Sequence, residues 1–153
     1  MKVLMVCLGN ICRSPLAQGI LEHKLKQKGL DWVVDSVGTG GGHIGLGPDE
    51  RSLQVALKHG IDISQQEARR IHYRDIVNFD LIYCMDTTNY ANVRELCRTL
   101  EEEAKVKMIM DESDPGKKLE VPDPYYGGPS GFEKIYQLLD RACEAIIKNY
   151  SGK

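Results

Sequence analysis

A cysteine and an arginine stand six positions apart near the start of this chain, in Cys7-Leu8-Gly9-Asn10-Ile11-Cys12-Arg13, with Ser14-Pro15 following. That spacing suits a thiolate nucleophile facing a bound phosphate. The residues between them include one glycine and can curl so that successive backbone N–H groups point inward, forming an anion nest at a helix N-terminus. Arg13 adds a planar fork matched to two phosphate oxygens. The same field of N–H dipoles and positive charge favours the thiolate form of Cys7 near neutral pH. The chemistry indicated is phosphoryl transfer through a phosphocysteine.

The same spacing also arises when a core cysteine ends a strand and the arginine is solvated, so the flanking elements decide. Val3-Leu4-Met5-Val6 is a short continuous apolar run, the pattern of a buried parallel strand. Ser14 is placed as the N-cap of a helix with Pro15 at its first position. Ala17, Ile20, Leu21 and Leu25 then mark one apolar face that ends near Gly29. An arginine in a first helical turn opposes the helix dipole unless an anion sits there. Strand, tight loop and helix thus follow in the order a phosphate cradle requires.

Strand and helix patterns alternate over the rest of the chain. Trp32-Val33-Val34, Asp80-Leu81-Ile82-Tyr83-Cys84 and Val106-Lys107-Met108-Ile109 read as further strands. Pro48 opens a helix carrying Leu53, Ala56 and Leu57 before Gly60. Phe132, Ile135, Tyr136, Leu139, Ala142, Cys143, Ile146 and Ile147 give the last helix a core-facing stripe of four turns. The pattern predicts an α/β domain spanning residues 1–153, three layers deep, with a central four-stranded parallel sheet flanked by helices on both faces. Its phosphate-binding loop lies between strand 1 and helix 1, at the carboxyl edge where such sheets bind ligands. Gly-rich stretches from Gly38 to Gly47 and from Gly127 to Gly131 are expected to line that rim.

Composition narrows the function classes. With 153 residues and a net charge of −2, the chain has a size suited to one domain and no global basic field for nucleic acid or an anionic membrane. No apolar run is long enough to span a bilayer, and the apolar N-terminus is too short for a signal peptide. Five cysteines in no framework spacing suggest a reducing, cytoplasmic setting with free thiols. His23, His43, His59 and His72 are scattered and form no zinc pattern with the cysteines, so no metal and no cofactor are expected.

The run C-L-G-N-I-C-R-S-P from Cys7 to Pro15 resembles the signature of the low molecular weight protein tyrosine phosphatases. The similarity continues at Asp35-Ser36, at Cys84-Met85-Asp86 and at Asp123-Pro124-Tyr125-Tyr126-Gly127. The resemblance implies hydrolysis of protein phosphotyrosine and aryl phosphates, with inorganic phosphate and other oxyanions as inhibitors. Leu8, Gly9, Asn10, Ile11, Cys12, Arg13 and Ser14 would form the phosphate loop. Val121-Pro122-Asp123-Pro124 is a stiffened loop that reads either as a plain turn or as the mount of a carboxylic acid. The resemblance selects the second, with Asp123 donating a proton to the leaving phenol and then activating water. It also implies a strained Asn10 supported by Ser36, and Tyr125 and Tyr126 as walls selecting an aryl group. Ser14 can offer its hydroxyl to Cys7 while capping the helix.

Cys12 either forms a reversible disulfide with Cys7 against over-oxidation or simply fills the floor of the loop. Cys84 and Cys143 fall in apolar patterns, Cys97 is assigned to a helix, and Glu101-Glu102-Glu103 reads as a solvated helix end. Two departures from the family pattern stand out. Gly42 occupies the place of an expected tryptophan wall, leaving His43 or Leu46 to supply it. Gln66 replaces an expected histidine in the network around Asn10. Rival activities on the same fold are a protein-arginine phosphatase, which typically has threonine where Ile11 stands, and a thiol-linked arsenate reductase, which needs a cysteine relay. A non-enzymatic phosphotyrosine-binding module would be expected to lack Cys7 or Asp123.

Overall fold

The computed structural model describes residues 1–125 and 127–152. Eleven elements follow one another: β1 (Lys2–Cys7), α1 (Arg13–Gln27), β2 (Val33–Gly38), α2 (Glu50–Lys58), α3 (Tyr73–Asn78), β3 (Leu81–Cys84), α4 (Thr87–Leu96), α5 (Leu100–Glu103), β4 (Val106–Met108), a 3-10 turn (Ile109–Glu112) and α6 (Pro129–Tyr150). The sheet is wholly parallel with order β2-β1-β3-β4, as the alternation of elements predicts. β1 therefore lies centrally, between β2 and β3. The chain leaves β1 toward one edge and later returns to its other side, and the crevice above that reversal is where ligands of such sheets bind.

Alternation along β1 assigns its side chains to two cores. Val3, Met5 and Cys7 join α1 and α6, with Leu16, Ile20, Leu139 and Ile146 among the buried partners. Leu4 and Val6 point the other way, against Ile76, Ile82, Cys84 and Val93 beneath α3 and α4. A strand apolar on both faces must be covered on both, which accounts for the third layer. The stripe from Phe132 to Ile147 is buried at every position named from the sequence.

Several boundaries differ from expectation. β2 runs on through Asp35 and Ser36 to Gly38, because an edge strand with a half-exposed side tolerates polar residues that break an apolar run. α2 begins at Glu50 behind an Asp49 cap that accepts from the Arg51 N–H, so Pro48 precedes the helix instead of opening it. Leu57 turns outward at 60% exposure, and Val55 with Ala56 takes the core side. Cys97 is the residue just past α4, in extended conformation. The acidic run is more than a solvated end: Glu102 accepts from the Tyr73 hydroxyl and the Arg98 N–H, and Glu103 pairs with Arg94. α3 was invisible to periodicity and is held by a capping box between His72 and Asp75.

Gly19 marks the tightest approach to α1. A Cβ there would stand 2.4 Å from Ile63 Cγ2 and 3.2 Å from Ile61 Cγ2. In an open helix, replacing glycine by alanine stabilises by about 1 kcal/mol. Here overpacking reverses the sign, and Gly19→Ala is expected to destabilise by about 1–3 kcal/mol, read as a lower denaturation midpoint. A raised midpoint would show that Ile63 can step aside.

Candidate active site

The segment from Leu8 to Cys12 leaves β1 and turns its carbonyls outward. The Thr39, Gly40 and Asp49 N–H groups donate to the carbonyls of Cys7, Leu8 and Ile11 at 2.9, 2.9 and 2.8 Å. The Ser52 hydroxyl donates to the Cys12 carbonyl at 3.3 Å. The Leu8, Ile11 and Cys12 carbonyls of the segment are thereby committed to neighbouring segments. Among the described residues no backbone carbonyl accepts from Gly9, Ile11 or Cys12 N–H, which is the arrangement of an anion nest.

Asn10 makes the turn possible. Its backbone has φ 57°, in the left-handed region, where asparagine is tolerated better than most residues. The buried side chain fixes it there: Nδ2 donates to Ser14 Oγ at 2.8 Å and to Ser36 Oγ at 3.0 Å, and Oδ1 accepts from the Arg69 N–H at 2.9 Å. Ser36 thus takes the supporting place expected of it.

Donors converge on Cys7. The Asn10 N–H donates to Sγ at 3.3 Å, and the Ser14 hydroxyl lies 3.0 Å from the sulfur. Ser14 does not cap the helix, contrary to the sequence reading. α1 starts at Arg13 with Cys12 at the cap position and no side-chain cap bond. A capping hydroxyl would occupy the N–H groups that the nest leaves open; Ser14 is the second residue of α1 and lies against the sulfur instead.

Arg13 is 2% exposed. Nη1 donates to Asp86 Oδ2 at 2.7 Å and to the Val121 carbonyl at 3.0 Å, while Nη2 lies 3.7 Å from Asp123 Oδ2. Asp86 also accepts from the Asn89 N–H, which caps α4. The sequence marked Asp86 only as the end of a motif, and its bond to Arg13 went unforeseen; an acidic residue closing a strand beside β1 was the available signal. Asp123 is mounted on the loop before α6, where its Oδ1 accepts from the Tyr125 N–H at 3.0 Å. Arg51, also missed, braces that loop by donating to the carbonyls of Tyr125 and Gly127 at 2.9 and 3.2 Å while bound to Asp49.

Cys7, Arg13 and Asp123 meet in one pocket of about 300 Å³, with Leu8, Ile11 and Cys12 also in its lining. Its walls are Tyr125 and His43, whose rings face at 6.1 Å, tilted 48°. His43 therefore supplies the wall that Gly42 does not, and Leu46 stays outside at 54% exposure. A Cβ at Gly9 would come within 2.9 Å of His43 Cδ2, so the close seat of that ring depends on glycine. Of the Gly-rich stretches, Gly40 and Gly42 reach the pocket, whereas Gly127 serves as an acceptor for Arg51. Tyr126 lies outside the described residues.

Cys12 shares the pocket, and burial, with Asp49 nearby, pushes its thiol up to about 12. Gln66 departs from expectation: its Nε2 donates to the Pro15 carbonyl at 3.1 Å, and its Oε1 is buried without a partner among the described residues. The Arg69 N–H supplies the contact to Asn10 that Gln66 does not. No group of acidic, histidine or cysteine residues among those described could hold a metal.

A parallel sheet with a thiol and an anion nest at the carboxyl end of its first strand defines a class of cysteine-based phosphate-handling enzymes. The sequence profile of the low molecular weight phosphotyrosine protein phosphatases matches residues 2–152, and the chain belongs to that family. It is 41% identical over 143 residues to the low molecular weight phosphotyrosine protein phosphatase of Schizosaccharomyces pombe, covering 91% of this chain and 90% of that one. The crystal structure of a protein tyrosine phosphatase from Entamoeba histolytica, with Hepes in its active site, superposes with a TM-score of 0.93 at 36% identity, covering 99% and 97% of the two chains. A Drosophila arginine phosphatase superposes equally well, with a TM-score of 0.93 at 32% identity over 100% and 99%.

The role of Asn10 is separable into backbone and side chain. Asn10→Ala loses three hydrogen bonds, two of them buried, and keeps an unfavourable φ, and should destabilise by about 3 kcal/mol. Asn10→Gly relieves the φ alone and should recover about 1 kcal/mol. Both should weaken inorganic phosphate binding about tenfold or more by calorimetry; undiminished affinity would show that the loop does not depend on Asn10.

Proposed function

We propose that the chain hydrolyses protein phosphotyrosine through a phosphocysteine on Cys7. The observation carrying this reading is the convergence of Cys7, Arg13 and Asp123 on one pocket from opposite ends of the sequence. The Cys7 thiolate attacks phosphorus as the aryl P–O bond breaks, and Asp123 gives its proton to the departing phenolate oxygen. Water then attacks the phosphocysteine, Asp123 takes a proton from it, and the S–P bond breaks to return the thiolate and release phosphate. Arg13 and the nest N–H groups bind the equatorial oxygens and stabilise the transition state. Leu8, Gly9, Asn10, Ile11, Cys12 and Ser14 complete the phosphate loop. Oxyanions such as inorganic phosphate compete for the same nest. No cofactor enters the scheme, and a cytoplasmic location fits the free thiols.

Ile11, at 8% exposure in the pocket lining, presents a branched apolar side chain suited to an aryl ring. The likeness to an arginine phosphatase supports a second reading, hydrolysis of phosphoarginine by the same three residues. Thiol-linked arsenate reduction is poorly served. Cys84 pairs in register with Val6, placing it in the core on the opposite side of the sheet from Cys7.

Matched peptides bearing phosphotyrosine or phosphoarginine separate the two readings by phosphate release. Cys7→Ser should abolish turnover and retain phosphate binding, and Asp123→Ala should lower kcat on phosphotyrosine by about 10²–10⁴-fold. Turnover by Cys7→Ser would overturn the mechanism. Of the two readings of Cys12, the disulfide with Cys7 has its own signature. Peroxide oxidises Cys7 to the sulfenic acid, and the Cys12 thiolate displaces hydroxide to close the S–S bond. Because Cys12 is held as a thiol below about 12, closure should speed up as pH rises from neutral to 9. A thiol-reversible inactivation that is independent of pH would argue against Cys12 as the partner.

A further inference from the structure

Large apolar side chains are exposed at scattered points of the molecule, but Leu8, Ile44 and Leu46 all belong to the two loops that frame the pocket. Leu8 both lines the pocket and is 52% exposed, so its apolar surface continues outward from the mouth. Ile44 is 60% exposed. Between them runs the bare backbone of Gly40, Gly41 and Gly42. A Cβ at Gly40 would stand 3.5 Å from Leu8 Cδ1, and one at Gly41 would stand 3.3 Å from Ile44 Cδ1. Three consecutive glycines thus leave a low shelf edged by two apolar side chains.

The Ile44 end of the shelf is also cationic. The same point above Gly41 lies 3.7 Å from Arg70 Cδ and 3.9 Å from Nη1. Arg70 is exposed, and no side-chain hydrogen bond or ion pair holds it among the described residues, whereas its neighbour Arg69 is bound to Asp35 and Asp75. A cation unpaired among the described residues, one residue from the pocket mouth in a chain of net charge −2, is suited to a partner's carboxylate.

Resting on the phosphatase reading above, we infer that this shelf is a recognition surface for the protein chain flanking the phosphorylated residue. An apolar side chain adjoining the phosphotyrosine lies on Leu8 and Ile44, and an acidic side chain within two residues reaches Arg70. An extended chain advances about 3.3 Å per residue, which brings such a neighbour over Gly41 while the phosphate stays in the nest. The occupant is fixed by continuity with the pocket and by charge. Seating a flat apolar edge and one carboxylate sets preference among phosphoproteins and leaves the chemistry untouched.

The test compares kcat/KM on phosphotyrosine peptides whose flanks carry isoleucine and glutamate, isoleucine and lysine, or alanine only, with p-nitrophenyl phosphate as a substrate lacking flanks. The wild-type enzyme should prefer the glutamate peptide over the lysine peptide by about fivefold, the scale of an exposed ion pair, and the preference should shrink at about 1 M salt. Arg70→Glu should invert the order, and Ile44→Ser should cut the gain from isoleucine about threefold. Both variants should hydrolyse p-nitrophenyl phosphate as the wild type does, which also reports that they fold. Equal rates across the peptides, or an unchanged preference in Arg70→Glu, overturn the shelf and leave the phosphatase standing. Failure of the wild type on p-nitrophenyl phosphate and on every peptide overturns both.

Discussion

One residue held in the left-handed region carries the site. At φ 57°, Asn10 reverses the chain so that carbonyls on either side face neighbouring loops and N–H groups face inward. A non-glycine residue there costs on the order of 1–2 kcal/mol, which three hydrogen bonds from its amide offset. Their partners come from α1, β2 and the segment before α3. The nest is thus assembled by tertiary structure: Ser36 is positioned by the β1–β2 register, where Met5 faces it, and Arg69 is fixed by Asp35 and Asp75.

What could be read from the sequence follows from the range of the interactions concerned. The cradle, the four strands and the stripe of α6 are local patterns, and the structure keeps them. Ser14 shows where local rules give way. Serine ahead of proline is a sound cap by propensity, yet tertiary contacts to Cys7 and Asn10 claim its hydroxyl. Asp86 and Arg51 act across the chain, on Arg13 and on the Tyr125 carbonyl, and nothing near them in sequence announces those partners. Gln66 differs from the sequence reading in its partner, since only the fold shows that its amide reaches the Pro15 carbonyl.

Sheet geometry also sorts the cysteines. Side chains alternate across β1, so Cys7 opens toward the pocket at the strand's carboxyl end while Cys84, level with Val6 on β3, belongs to the opposite core. Burial pushes the thiols of Cys84 and Cys143 up and holds them neutral. Cys12 is neutral for the same reason, although it shares the pocket. One thiol alone combines a strand-end position, a converging N–H and hydroxyl, and a guanidinium nearby. The proposed nucleophile for phosphorus is Cys7 because of where the pleat and the loop place each sulfur, in a chain with four other cysteines.

The two carboxylates beside Arg13 divide their work on the same physical grounds. Asp86 sits at the end of β3 with one oxygen bound to Arg13 and the other accepting the N–H that starts α4. Both its oxygens are committed, and a proton on either would break a charge-assisted bond that orients a nearly buried arginine. Asp123 is 41% exposed, and its only hydrogen bond among the described residues is from the Tyr125 N–H. The oxygen facing Arg13 at 3.7 Å is too far for a hydrogen bond, so only a loose ion pair holds it. A general acid must cycle its proton on every turnover, and a positioning carboxylate must never do so. In the proposed mechanism the loop-mounted Asp123 takes the acid role and the half-buried Asp86 at the strand end keeps Arg13 oriented.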